Sequence, residues 1–592
     1  MKQFFISFLG ALAGIWVSVI LGGILMILCV AVLAVSGASE SQPGEIRHNS
    51  VLCLDLSGEV TDRAEPVNIM NEIYGESVNS IPLNDVIAAL RHAAADKDID
   101  GAVIFCNGAS AGLAQSQAII DALAEFKQSG KWVYAYGDTY TQGNYFIASV
   151  ADSLFVNPAG IIDIHGLSAT TPYFKGLLDK LGVEVQVVKV GTYKSAVEPF
   201  ILKESSEANR RQQLHYLSSL WSSVSSTIAA GRGVDTLAVN RWADSYSFSI
   251  DAAGYVADSI ADRILYRHEF DELVVERSGL DSDDSPRYVS IADYVKARTL
   301  SAYGFNKGKR RIAVLYALGD IVESGKGGIV SDELVPRILD LADDDDIDGL
   351  ILRVNSGGGS AYASEQIWEA LEQFKQRTGK PFYVSMGDMA ASGGYYISCG
   401  ADRIYADPLT LTGSIGIFGL IPDASKLLND KIGITTSTVE TNSGSFPTFT
   451  QPMPEAQRAA MQTMVNRGYE LFVSRCADGR HMPVDSIKAI AEGRVWDGYT
   501  ACRIGLVDRL GGLLDAINDM AQEIGAAEGE FQIREYPKLK FKWWEEMLTL
   551  GKNMKASMVR SELGEMAPLY DAAMQLKAID PIQCRVEYQV IR

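Results

Sequence analysis

The hydrophobic and polar positions of this 592-residue chain change texture twice. From Phe4 to Val35 runs an almost unbroken apolar stretch, and no residue between Lys2 and Glu40 carries a charge. A helix of that length exceeds the ~30 Å hydrocarbon core of a bilayer, so the pattern predicts a membrane-spanning anchor over residues 1–40. A cleaved signal peptide competes with that reading, because Ser36-Gly37-Ala38 weakly resembles a cleavage site; hydrophobic regions of such peptides, however, run only about 7–15 residues. The positive end, the α-amino group and Lys2, is N-terminal, which predicts that the bulk of the chain lies outside the cytoplasm.

Beyond the anchor the periodicity alternates between strand and helix, and it does so twice. A β-rich run (Val51–Leu56; Ile312–Tyr316) precedes an acidic helix, a buried strand (Gly101–Phe105; Gly349–Val354), a long amphipathic helix and a second buried strand (Trp132–Tyr136; Pro381–Met386). Such alternation implies βαβ units on a mainly parallel sheet. The letters repeat as well as the pattern. Asp98-Ile-Asp-Gly101 returns 248 positions later as Asp346-Ile-Asp-Gly349, and Phe126-Lys-Gln-Ser-Gly-Lys131 returns as Phe374-Lys-Gln-Arg-Thr-Gly-Lys380. Gly137-Asp138 answers Gly387-Asp388 at an offset of 250, and identities continue from Gly143–Pro158 to Gly393–Pro408. The chain therefore divides into an anchor (1–40), a first copy (46–300), a second copy (309–540) and an unmatched tail (541–592). The polar stretch from about Tyr266 to Gly308 reads as the connection between copies. In the tail, Trp543-Trp544 with Met547 and Leu548 allows an amphipathic helix lying on the membrane or on a neighbouring subunit, or ordinary packing.

Composition narrows the function. At roughly 100–200 residues per domain the length alone asks for about three to five domains, which the duplication reduces to one unit used twice. With 74 acidic against 53 basic residues the formal charge is −21, the wrong sign for a phosphate-backbone binder. Seven dispersed cysteines (Cys29, Cys53, Cys106, Cys399, Cys476, Cys502, Cys584) form no C-x-x-C and read as buried free thiols. The six histidines (His48, His92, His165, His215, His268, His481) lack ligand spacing, and no H-E-x-x-H or Walker-type loop occurs, so no metal, nucleotide or other cofactor is expected. The S-x-x-K motif is also missing.

Two glycine-bearing turns in the second copy follow buried strands, where open α/β folds place ligands. Arg353-Val-Asn-Ser-Gly-Gly-Gly-Ser360 lets a backbone N–H point into a site as an oxyanion hole requires. Met389-Ala-Ala-Ser-Gly-Gly-Tyr-Tyr396 puts Ser392 at the start of a helix; alone, that is an ordinary helix-start serine. The first copy has Gln142 in its place. Conversely, Lys194, in Val190-Gly-Thr-Tyr-Lys-Ser-Ala-Val197, aligns with Ser445 of the second copy. A lysine acts as base for a serine only if burial lowers its pKa, and alone Lys194 reads as a surface lysine.

Five ordered motifs resolve the ambiguity: Asn355-Ser-Gly-Gly-Gly-Ser360, Met389-Ala-Ala-Ser-Gly-Gly-Tyr395, Leu411-Thr-Gly-Ser-Ile-Gly-Ile-Phe-Gly419, Gly191-Thr-Tyr-Lys-Ser-Ala-Val-Glu-Pro-Phe200 and Gly493-Arg-Val-Trp-Asp-Gly498. Together they resemble the signal peptide peptidase A family of membrane-anchored serine proteases, in its long, internally duplicated form. The resemblance runs from the anchor to about Gly512. It implies an α/β fold of two tandem Clp/crotonase-like spiral βαβ domains after a transmembrane helix. It also implies Ser392 as nucleophile, Lys194 as general base, Ser414 as the residue orienting the lysine amine, and the N–H groups of Gly393 and Gly359 as the oxyanion hole, Gly359 being chosen over Gly358. Implied partners are the lipid bilayer, signal-peptide remnants and similar apolar peptides, and three further copies in a homotetramer, with no nucleic acid or nucleotide. The implied place is the bacterial inner membrane, with the catalytic part on the periplasmic side. One departure is Gly357, where the family usually has Pro. A crotonase-like acyl-CoA enzyme, using the same hole on an enolate, and a non-catalytic membrane scaffold are the alternatives.

Overall fold

A computed structural model describes residues 46–64, 79–300, 303, 305, 307–325, 327–442, 444, 449–527, 529–538, 582–586 and 590–591, with isolated positions 10, 14, 16, 21 and 22. Apart from those five positions, the expected anchor lies outside the described residues, as do the Trp543-Trp544 segment and Ser445. Among the described residues no helix is long and apolar enough to cross a membrane.

The two copies build equivalent sheets. In the first, six parallel strands stand in the order Tyr288–Ser290, Ser50–Leu56, Ile99–Cys106, Trp132–Tyr140, Ser153–Ile162 and Arg263–Ile264. In the second, Phe531–Tyr536, Arg310–Leu318, Gly349–Ser356 and Phe382–Ala391 repeat that order, followed by Arg403–Ala406 and by Leu411–Gly413, which pairs further along Phe382–Ala391. The fold is thus α/β with two tandem βαβ copies. The central strands are buried on both faces, as parallel sheets demand, and so they read as continuous apolar runs.

Two expectations need correction. The stretch from Tyr266 to Gly308 is not simply a connection: it holds helix Arg267–Arg277, edge strand Tyr288–Ser290 and helix Ile291–Arg298. That strand occupies the edge position that Phe531–Tyr536 holds in the second copy. It is three residues long and lies at an edge, so its sequence carries little apolar signal. The tail, for which the sequence allows an amphipathic helix or ordinary packing around Trp543-Trp544, contributes strand structure in its described residues, Ile582–Arg585 and Val590–Ile591. The described cysteines are all free, but Cys53 and Cys502 are only part-buried.

A third sheet joins the copies. Its order is Ile329–Val330, Ile321–Val322, Gly358–Ser360, Ile582–Arg585, Phe418–Asp423 and Glu184–Lys189. The last strand comes from the first copy and pairs antiparallel with Phe418–Asp423 from Lys189↔Phe418 to Glu184↔Asp423. One buried apolar cluster also runs from the first sheet, through helices Leu83–Ala95 and Leu113–Gln128, to Ile312, Val314, Ile351 and Tyr383 of the second.

Polar contacts lock the same interface. Asp62 and Arg353, each about 5% exposed, pair at 2.7 Å, and Arg353 also donates to Ser385 Oγ and Met386 O. Asp388 accepts from the N–H groups of Ala114 and Gln115 at the start of helix Leu113–Gln128, where the unpaired donors and the dipole favour a carboxylate. Asn355 donates to both Asp62 and Asp388. Removing one partner of a buried pair strands the other charge, so Asp62→Ala should destabilise the protein by about 3–5 kcal/mol in urea unfolding. The double change Asp62→Leu with Arg353→Met should cost clearly less than the sum of the two single changes.

Candidate active site

Ser392 stands at the end of a strand that runs further than its sequence suggests. The apolar run stops near Met386, but pairing of Met389, Ala390 and Ala391 with Leu411, Thr412 and Gly413 keeps the backbone extended up to the serine. A four-residue helix, Gly393–Tyr396, follows at once. The reversal forces Ser392 to φ 58° and ψ −112°, a conformation costing of order 1–3 kcal/mol unless its surroundings impose it. Here they do: Ser392 N–H donates to Gly413 O (2.8 Å), and Tyr396 N–H donates to Ser392 O (2.8 Å).

Lys194 reaches this point from the first copy. Strand Glu184–Lys189 delivers the chain to the second copy, where Val190 N–H donates to Ile417 O and Tyr193 N–H to Glu492 O. Gln212, on helix Glu207–Arg232, donates to Tyr193 O and Ser195 Oγ and accepts from Val495 N–H, clasping the lysine loop to the second copy. Gly493, at φ 78°, is required by this approach, since a Cβ there would lie 2.7 Å from the backbone of Lys194. The result is a lysine 1% exposed, with Nζ 2.6 Å from Ser392 Oγ, 3.0 Å from Ser414 O and 3.1 Å from Ser414 Oγ. Burial pulls its pKa down from 10.5 to about 8. Nζ donates in all three contacts, as an ammonium does; once the proton is lost, two N–H groups remain for Ser414 and the lone pair faces the Ser392 hydroxyl. Ser414, itself at φ 52°, is pinned by its N–H to Arg494 O (2.7 Å).

The triple-glycine turn forms the facing wall. Gly358, at φ 98°, packs so closely that a Cβ there would meet Gly393 N at 2.7 Å and Cys584 O at 2.1 Å. Its N–H is taken by Ser356 Oγ (3.1 Å). Gly359 stands in strand Gly358–Ser360 opposite Cys584. Val586 N–H donates to Gly357 O (2.8 Å), and hydrogen-bonded pairs alternate along an antiparallel ladder, so the next such pair is Gly359 with Cys584. All five residues singled out in the sequence, Ser392, Lys194, Ser414, Gly393 and Gly359, thus surround one buried point. Cys584 was missed: 192 positions from Ser392, with no motif around it, its Sγ nevertheless lies 3.1 Å from the serine Oγ. Gln212 was missed too, because a glutamine inside a long helix gives no signal of its task.

The sequence pattern of "Peptidase family S49" matches residues 125–270 and 374–527, one stretch in each copy. The chain belongs to peptidase family S49. It is 34% identical over 515 residues to "Protease 4" of Haemophilus influenzae, covering 84% of this chain and 82% of that one. It is 35% identical over 488 residues to "Protease 4" of Salmonella typhi (80% and 78%) and 29% identical over 487 residues to "Serine protease SPPA, chloroplastic" of Arabidopsis thaliana (80% and 69%). These relatives make it a serine peptidase.

The first S49 copy keeps the frame of this site and fills it differently. Gln142, which aligns with Ser392, donates to Gly166 O and accepts from the N–H groups of His165 and Gly166. That clasp ties its own loop shut where the second copy presents a hydroxyl to an amine.

The pH dependence of this S49 site follows from the lowered lysine pKa. Below about 8 the Lys194 amine carries a proton and cannot accept one; above it the amine is neutral. Acylation of Ser392 by an activated ester, followed by mass spectrometry, should therefore rise with pH and level off above about 8, and Lys194→Arg should abolish the rise.

Proposed function

We propose that this S49 peptidase is a membrane-anchored, ATP-independent endopeptidase that cuts signal-peptide remnants and similar apolar peptides through an acyl-enzyme on Ser392, with Lys194 as general base. The observation that carries the mechanism is the 2.6 Å approach of two fully buried side chains, Lys194 and Ser392, contributed by opposite copies. Lys194 takes the Ser392 proton as Oγ attacks the scissile carbonyl; the N–H groups of Gly393 and Gly359 receive the oxyanion; and the ammonium passes its proton to the leaving amine. A water activated by the same amine then releases the acid. Ser414 holds the amine in line with two acceptors.

The substrate reading is supported by the third sheet. Strands Gly358–Ser360 and Phe418–Asp423 flank a path one strand wide, so an extended peptide between them gains backbone hydrogen bonds on both sides. Such recognition asks for an unfolded segment, which suits signal-peptide remnants and needs no unfolding machinery. The charge-free stretch from residue 3 to residue 39 supports anchoring at the inner membrane with the peptidase on its periplasmic side. Assembly as a homotetramer is part of this proposal and rests on the family resemblance alone.

On an apolar peptide ester, Ser392→Ala and Lys194→Ala should each lower kcat/KM on the order of 10⁴-fold or more, and Ser414→Ala by a smaller factor. Hydrolysis by Ser392→Ala at the wild-type rate would remove the mechanism, and absence of hydrolysis in every form would leave a scaffold. Deleting residues 1–40 should move the protein from the membrane pellet to the supernatant.

A further inference from the structure

The strand that fills the peptide path belongs to the chain itself. Ile582–Arg585 lies antiparallel to Gly358–Ser360 on one side, with Gln583↔Ser360, Cys584↔Gly359 and Arg585↔Gly358. On the other side it lies antiparallel to Phe418–Asp423, with Gln583↔Phe418 and Ile582↔Gly419. Two edges that would otherwise stand unpaired across a gap are thereby closed, and unpaired edges are what an extended ligand satisfies.

The register is that of a peptide set up against the nucleophile. The Cys584 carbonyl oxygen is lodged between Gly358 and Gly393: it would lie 2.1 Å and 3.1 Å from Cβ atoms placed on them. Alternation of the ladder directs the Gly359 N–H to the same oxygen. The Cys584 side chain is fully buried, with Sγ 3.1 Å from Ser392 Oγ. Downstream, Val586 N–H donates to Gly357 O, and Arg585 forms an ion pair with Asp320. Gly357, where the family usually has Pro, is also where an added Cβ would stand 3.0 Å from Val586 Cγ1.

We propose that residues 582–586 are a ligand in cis for the peptide path: Cys584 fills the pocket beside Ser392, and an external peptide binds by displacing this strand. The proposal rests on reading the path as the substrate site. A tethered competitor acts at an effective concentration that can reach millimolar, so it raises the apparent KM and leaves kcat unchanged. The pocket that encloses a cysteine side chain beside the Lys194 amine has no place for a guanidinium, whereas a smaller methyl group fits.

Two measurements on the full chain test this. Cys584→Arg should lower KM for a peptide ester about tenfold or more at unchanged kcat, while Cys584→Ala should stay near wild type. In the Ser392→Ala chain, which cannot cut, alkylation of Cys584 by iodoacetamide, read by mass spectrometry, should be slow and should accelerate as an apolar peptide is added; Cys502 serves as the part-exposed control. Labelling of Cys584 that ignores a saturating peptide, together with an unchanged KM in Cys584→Arg, would overturn the proposal while hydrolysis by wild type keeps the peptidase reading. Loss of hydrolysis in every form, with labelling still responding to peptide, would remove the mechanism and leave the cis ligand standing.

Discussion

Lys194 can face Ser392 as a neutral amine only while it is kept from water, and contacts between the two copies keep it buried. An amine in solvent holds its proton to above pH 10; here the surrounding protein lowers that threshold to about 8. Neither copy achieves this alone. The first supplies the lysine, the strand Glu184–Lys189 that carries it across, and Gln212, which ties its loop to Val495. The second supplies Ser414 as acceptor and Gly493 as the gap through which the lysine backbone passes. The Asp62–Arg353–Asp388 network, elsewhere on the interface, resists the separation that would let water in.

The same docking shapes the peptide path. The third sheet draws one outer strand from the first copy, the strand Ile582–Arg585 from the tail and the rest from the second copy, so that without the tail strand its middle is a slot between two edges. A strand placed there has its carbonyl beside Gly393 and Gly359 and its side chain against Ser392, whichever chain it comes from. Backbone pairing fixes the direction and register of the guest, and the pocket occupied by Cys584 then decides which side chain is presented. On the proposed function, the geometry that suits the site to cutting peptides would also let the chain's own end compete for it.

Duplication explains the asymmetry. Two βαβ units of one ancestry give equivalent strand-to-helix junctions, but the second sets Ser392 into a strained junction held by Gly413, while in the first Gln142 closes on its own backbone. One copy holds the serine and the other the lysine, so the point where they meet lies at the interface between the copies.

What the sequence determined by itself was whatever its periodicity and glycine spacing encode locally: the alternation of buried strands with amphipathic helices, the 250-residue repeat, and the junctions bearing Ser392 and the triple glycine. Motif resemblance added Lys194 and Ser414, which no local pattern marks. The extension of the strand to Ala391, the edge strand Tyr288–Ser290 and the tail strand at Cys584 were illegible, because each owes its conformation to hydrogen bonds from residues distant in sequence and none carries an apolar run of its own. Only the tertiary structure decided that the lysine is buried and that the path beside it is filled. Burial and strand pairing are properties of what surrounds a residue, and for Lys194 and Cys584 those surroundings come from segments roughly two hundred positions away.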